Sequence, residues 1–336
     1  MSHRDYSVTR SSRAARVATV LGAILLVVLI AAPWWAGRAD MRLMGELFLY
    51  LALASLWNLL AGYAGLVSVG QQAFVGFGGY MLFALTIFAG LPPVVAVLGA
   101  GVLGALIAVP VALLIFRLRG AYFAIGTWVI AEVFRLIAAQ VGALGGGSGI
   151  SLPVDIARSI ADGRAAREMV MYYIAFGIGV FSVIGVWIVL RSKWGLALTA
   201  IRDSEPAAEA VGVATMRVKF LIYVITALYT GLVGAFIFLQ KLRITPEAAF
   251  SVNEWTAFVI FIVVIGGLGS IEGPIIGVIV FFALREFAAD WGTWYLMLLG
   301  GIAIAVMLVD KRGIWGALRA RLQISVLPVE KKLKLD

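Results

Sequence analysis

Apolar runs of bilayer-crossing length follow one another almost without interruption from residue 17 to residue 309, separated by short polar breaks. A hydrocarbon layer of about 30 Å takes roughly 20 apolar residues of helix, the form in which each segment satisfies its own backbone amides. Reading the runs between breakers gives ten spans, near 17–35, 43–61, 74–90, 93–116, 121–140, 169–190, 218–240, 255–269, 274–289 and 293–309. The expected fold class is an all-α polytopic membrane protein with about ten transmembrane helices filling residues 17–310. Hydrophobic residues make up 62% of the 336 and charged residues 13%, which leaves no stretch for a second, soluble domain.

The net charge of +9 points to topology rather than to a nucleic-acid partner. Alternating the ten spans from an inside N-terminus puts 18 of the 27 Lys and Arg on one side, including Arg117, Arg119, Arg191, Lys193, Arg202, Arg217 and Lys219. Lys and Arg collect on the cytoplasmic side, so both basic tails, 1–16 and 311–336, are expected there. The first apolar run follows Arg4, Arg10, Arg13 and Arg16 but is long for a signal segment and has no small-x-small cleavage site, so it reads as a retained helix.

Between the sixth and seventh spans lies a polar stretch, 194–217, with its own helix signals. Asp203 or Ser204 can cap a helix start, Pro206 suits a first turn and Gly212 suits a stop. The expected product is a two-turn surface helix whose Ala207, Ala208 and Ala210 fit a partner's groove while Glu205 and Glu209 stay at its rim, with Arg202 leading in.

Two Gly-rich stretches interrupt the apolar pattern at comparable places in the two halves: Gly62 to Tyr80, and Ile265 to Pro274. Paired interruptions point to an internal repeat and to broken helices beside a transport path, since irregular backbone is tolerated at membrane depth only inside protein or beside water. Ser68, Gln71, Gln72 and Ser270 lie in these stretches and are candidate path residues, the glutamines offering neutral donors and acceptors. Glu132 and Arg135, three apart on one helical face, are compatible with a path role or with a structural clamp between helices. Glu46 and Asn58 in the second span read as packing residues.

The loop 141–168 is expected outside. Its run Gly145, Gly146, Gly147, Ser148 and Gly149 reads either as a cradle of amides for a carboxylate or as a hinge. Together with Asp155, Arg158, Asp162 and Arg164 it is a candidate docking face for an outside protein. Catalysis finds little support: there is no Cys, the one His is His3, no metal site is suggested, and without a Gly-Lys dipeptide no P-loop exists.

Several motifs together carry a family resemblance. Arg117-Leu118-Arg119-Gly120-Ala121-Tyr122-Phe123-Ala124-Ile125, followed by Thr127, Glu132 and Arg135, resembles a signature of bacterial branched-chain amino-acid ABC permeases. Gly145 to Ile150, the 195–213 segment and Gly266-Gly267-Leu268-Gly269-Ser270 resemble three further motifs of that family, in order. Gln71 stands where many relatives carry His, and Ala121 where they often carry Asp. The resemblance is to the M-type permease subunit and implies an inner-membrane importer of branched-chain or hydrophobic amino acids. It further implies a related permease subunit as heterodimer partner, two cytoplasmic ATPase subunits holding the ATP and Mg, and a periplasmic substrate-binding protein. No cofactor is expected on this chain. On this reading Arg202, Asp203, Ser204, Glu205, Ala208, Glu209 and Gly212 form the coupling segment. Import of urea, short amides or aromatic acids is the alternative within the family; an ion-coupled secondary transporter is the alternative outside it.

Overall fold

A computed structural model describes residues 6–9, 13–161, 163–288, 291–292, 294–310, 312–322 and 332–335. Helices occur at each of the ten expected positions, and two more lie in the polar stretch after the sixth. In chain order these twelve are α1 (Arg13–Ile30), α2 (Arg38–Asn58), α3 (Gln71–Ile87), α4 (Pro93–Ile115), α5 (Ala121–Gln140), α6 (Arg164–Arg191), α7 (Lys193–Asp203), α8 (Glu205–Ala210), α9 (Thr215–Lys241), α10 (Phe258–Gly266), α11 (Glu272–Phe287) and α12 (Trp294–Val309). Among the described residues, seven helices are long and apolar enough to cross a membrane by themselves. The expected count of ten is not reached on that measure, because α3 and α11, at 17 and 16 residues, are short. The apolar part of α1 is shorter still, Val20–Ile30.

The centre of the bundle is α2. It opens at Gly37, whose amide donates to the Asp40 carboxylate (3.0 Å), and every residue from Phe48 to Ala64 is buried. A helix apolar on all sides belongs in the interior. It continues into a π-helical turn, Leu59–Tyr63. A second π-helical turn, Asn253–Ala257, leads into α10, so that Pro246–Gly266 acts as one span. Helix α2 packs against α6, α10 and α11, while α9 packs against α3 and α4. The α3–α9 crossing is close because both sides are glycine. A Cβ on Gly78 would stand 2.0 Å from the Gly231 carbonyl oxygen, and one on Gly234 would stand 2.2 Å from that of Val75.

Two small antiparallel pairings qualify the all-α expectation. Ile150–Ser151 pairs with Arg243–Ile244, tying the 141–168 loop to the end of α9, and Tyr6–Thr9 pairs with Lys332–Leu335.

Candidate functional site

The two Gly-rich breaks, some two hundred residues apart in sequence, meet in the structure. Asn58, at the end of α2, donates from Nδ2 to the Ser270 carbonyl (2.8 Å) and accepts at Oδ1 from the Gly269 amide (2.8 Å). Gly62 faces the same turn: a Cβ there would lie 2.6 Å from the Gly269 nitrogen. Asn58, read from sequence as a packing residue, is the bridge between the breaks. Their places in the fold differ, however. The first separates α2 from α3 and the second separates α10 from α11, and only the latter two helices pack closely on each other.

The first break turns back into the protein. Gln71, the first residue of α3, donates from Nε2 to the Leu53 carbonyl (3.0 Å), ten residues before the end of the π turn at Tyr63. The chain from Ala64 to Gly70 therefore runs back alongside α2. Irregular backbone at that depth needs partners from the protein. Val69 N–H donates to Thr127 Oγ1 (3.0 Å), Gly70 N–H to Ser68 Oγ (3.2 Å) and Trp57 Nε1 to the Ser68 carbonyl (2.8 Å). Gln72 is tied to Thr256 twice: its backbone N–H donates to Thr256 Oγ1 (3.4 Å), and its Oε1 accepts from the same hydroxyl. Ser270 does the equivalent work in the second break, donating to the Gly267 carbonyl (2.8 Å) and accepting from the Gly273 amide (3.1 Å).

Ser68, Gln71, Gln72 and Ser270 thus belong to one region. Gln71 and Ser68 line a cavity of about 20 Å³ with Trp57, Phe74, Tyr223 and Thr226. Gln71 Oε1 and Thr226 Oγ1 are buried and have no hydrogen-bond partner among the described residues. Glu132 and Arg135 lie elsewhere. Arg135 Nε donates to both Glu132 oxygens (3.0 Å each), and Arg135 Nη1 lies 3.7 Å from Glu247 beyond α9. The arrangement ties α5 to the Pro246–Ala249 turn and has the form of a clamp. Thr127, Thr226 and Thr256 were missed as site residues; the signal for Thr127 was its place in the Arg117–Arg135 motif.

The polar stretch after α6 forms two helices, not one. Ser192 caps α7, accepting from the Trp194 amide (3.1 Å), and α7 packs on α6, α9 and the Leu59–Tyr63 turn. Ser204 caps α8, accepting from the Ala207 amide (3.4 Å), whereas Asp203 ends α7 and pairs with Arg202 (3.0 Å). Gly212 closes the segment at φ +88°. One expectation for α8 is corrected. Ala208 is buried against the chain's own core, so it is not on the outward face. Glu205 pairs with Lys219 (2.6 Å), and Glu209 accepts from Thr215 Oγ1 (2.7 Å), so both carboxylates are engaged within the chain. The outward face is Pro206, Ala207, Glu209, Ala210 and Val211, the last 79% exposed. Arg202 reaches the second break, where a Cβ on Gly269 would lie 3.6 Å from its Nη1.

At the other end of the bundle the Gly145–Gly149 run is not an open cradle. Gly145 N–H donates to the Gly142 carbonyl, Gly146 to Val141, Ser148 to Gly145 and Gly149 to Gly146, at 3.0–3.3 Å. A Cβ on Gly149, at φ +74°, would meet the Ile244 carbonyl oxygen at 2.1 Å. With those four amides engaged, an anion cradle is removed. Gly147, Ser148, Asp155 and Arg158 remain exposed, Gly145 and Gly146 are partly covered, and Asp162 lies outside the described residues. No group of three or more His, Asp or Glu among the described residues could hold a metal ion.

Comparison with known proteins agrees with this architecture. The chain is 27% identical to the high-affinity branched-chain amino acid transport system permease protein LivM of Salmonella typhimurium, over 89% of this chain and 75% of that protein. It is 28% identical to LivM of Escherichia coli K12 over the same shares. A shorter match, 30% identical over 38% of this chain and 37% of the relative, is to the fructose import permease protein FrcC of Rhizobium meliloti. No solved structure matches the chain. Residues 41–308 match the family described as branched-chain amino acid transport system / permease component, and the chain belongs to that family.

Proposed function

We propose that this chain is the membrane permease subunit of an ATP-driven ABC importer of branched-chain amino acids, of the M type, and is not itself an enzyme. Family membership and the match to LivM over 89% of the chain support the assignment. Its partners on this reading are a related permease subunit, two cytoplasmic ATPases that hold ATP and Mg, and a periplasmic binding protein. The chain crosses the inner membrane ten times with both tails in the cytoplasm. Pairing of Tyr6–Thr9 with Lys332–Leu335, which puts the two ends side by side, supports an even number of crossings, and the basic tails favour the cytoplasmic side. Residues 194–217 are the cytoplasmic coupling segment and 141–168 the periplasmic loop.

The single observation that carries the mechanism is the seating of α7. It lies on the Leu59–Tyr63 turn and sends Arg202 to Gly269, so a push on α8 reaches both Gly-rich breaks. Closure of the ATPases displaces α7–α8 and switches the path by alternating access, each state selected by its own contacts. Ser68, Gln71, Gln72 and Ser270 line the inner end of the path; Glu132 and Arg135 hold α5 in place.

The test is uptake of radiolabelled leucine into proteoliposomes holding this chain with its partner permease, ATPases and binding protein. Uptake that needs ATP and every partner is the expected result. Gradient-driven uptake by this chain alone overturns the proposal, and uptake of a different ligand found on the binding protein keeps the importer and replaces the substrate.

A further inference from the structure

A second and much larger cavity, about 590 Å³, opens at the end of the bundle away from α7 and α8. Its walls come from the first half of α2, the start of α6, the end of α9, the Asn253–Ala257 turn and the end of α11. The volume falls in the range of about 300–1,000 Å³ typical of small-molecule pockets. Nothing in the family signature falls on it, and of its charged residues only Glu46 stood out in the sequence.

The lining combines two chemistries. Tyr50, Trp255 and Phe258 form an aromatic floor, with the Tyr50 and Trp255 rings stacked at 6.0 Å. Around it stand ion pairs of opposite character. Arg285 donates to Glu46 through both terminal nitrogens (2.7 and 2.8 Å), a bidentate pair that joins α11 to α2. Lys241 and Glu254 are only loosely paired, at 3.4 Å, with both side chains nearly half exposed (45% and 43%). Lys241 also sits over the Trp255 ring, 4.8 Å from its centroid. On the far wall Arg42 pairs with Glu168 at 3.2 Å.

Each of the three carboxylates lining the cavity therefore has a cation beside it. A fourth cation, Arg167, also lines the cavity, while the Lys241–Glu254 pair beside the aromatic floor offers one charge of each sign. That pair leaves a place for both signs at once. It suits a ligand that carries both charges close together and an apolar remainder. A loose, water-exposed pair opens at little cost, whereas a bidentate one does not. A zwitterion inserted between Lys241 and Glu254 replaces one weak contact with two.

We infer that this cavity is an outward-facing receptor for a free amino acid with an apolar side chain. The α-carboxylate rests on Lys241, the α-ammonium on Glu254 and the side chain on the floor of Tyr50, Trp255 and Phe258. The Glu46–Arg285 pair holds the wall. The inference rests on the permease reading above and gives the delivered substrate a first station on this chain.

The absence of Cys makes a clean reporter available. A Met171→Cys variant, whose side chain lines the cavity, is reconstituted with its partner subunits in nanodiscs without binding protein. Its labelling by a membrane-impermeant thiol reagent is timed in the presence of leucine, leucinamide or 4-methylpentanoate. Leucine should slow labelling at least threefold, and the two singly charged analogues should need concentrations at least tenfold higher for the same effect. Adding Lys241→Met or Glu254→Gln, at side chains exposed enough to spare the fold, should abolish protection by leucine. Equal protection by all three compounds, or protection that survives both substitutions, overturns the inference. Leucine uptake by the complete importer without protection overturns the site and leaves the importer standing; protection without uptake supports the site and overturns the importer.

Discussion

Replacing Asn58 by Leu tests the contact between the two breaks. The side chain is 1% exposed, and Leu has nearly its volume, so packing changes little. What changes is that the Gly269 amide and the Ser270 carbonyl both lose their 2.8 Å partner. Leaving a fully buried donor or acceptor unmet costs about 1–3 kcal/mol each, an upper bound for these partly buried groups. Polar contacts measured in membrane bundles average about 0.6 kcal/mol, because the unfolded chain in lipid also finds partners. The two figures together put Asn58→Leu at about 2–4 kcal/mol of destabilisation. Asn58→Asp should lie between the two proteins: it keeps the acceptor for Gly269 but sets a carboxylate oxygen against the Ser270 carbonyl. Unfolding by SDS titration in mixed micelles reads all three. A loss below about 0.5 kcal/mol for Asn58→Leu refutes the claim that this side chain holds the breaks together.

Gly78→Ala should destabilise the α3–α9 crossing by about 1–3 kcal/mol, because the new methyl meets a backbone carbonyl that cannot step aside. Gly185→Ala on α6, with nothing within 4 Å, should instead stabilise by about 0.5–1 kcal/mol, and the pair is read in the same titration. Glu132→Gln should destabilise by only about 0.5 kcal/mol more than Glu132→Gln combined with Arg135→Met, because the pair is partly exposed and Arg135 keeps Glu247 at 3.7 Å. If the single and double variants are equally stable, the clamp is not a charge pair. Val211→Asp on the exposed end of α8 should cut ATP-driven uptake at least tenfold with thermal stability unchanged; full uptake in that variant removes α8 from the coupling contact.

Length and apolarity made the bundle legible: α4 and α5 begin where the runs at 93 and 121 begin, and each ends within a residue of its run. Local chemistry was legible too, as the Ser204 cap, Pro206 and the Gly212 stop show for α8. Contacts between distant residues were not. Glu46 and Arg285 are 239 residues apart, and a lone Arg in α11 hints at a partner without naming it. Asn58 looked like a packing residue because its two partners are backbone groups, which carry no side-chain signal. The direction in which a small residue faces was equally hidden: Ala208 and Ala207 are adjacent, and only burial tells that one points inward. The glycines at 145–149 left the cradle open because the same residue serves a cradle and a tight turn, and only the engaged amides separate these two.

The polar contacts of the two breaks also set the terms on which the inner end can open. Thr256 holds Gln72, Thr127 holds Val69, and Asn58 holds Gly269 and Ser270, so the breaks are tied to α5, to Pro246–Gly266 and to each other. Parting them in a dry interior would leave six or more polar groups unmet, at about 1–3 kcal/mol each, more than a marginally stable fold sustains. Parting them toward the α7 side admits water, which satisfies the same groups and removes most of that cost. Opening and hydration are therefore one step. Gln71 Oε1 and Thr226 Oγ1, which line the 20 Å³ cavity without partners among the described residues, mark where the first water enters, since that volume holds about one.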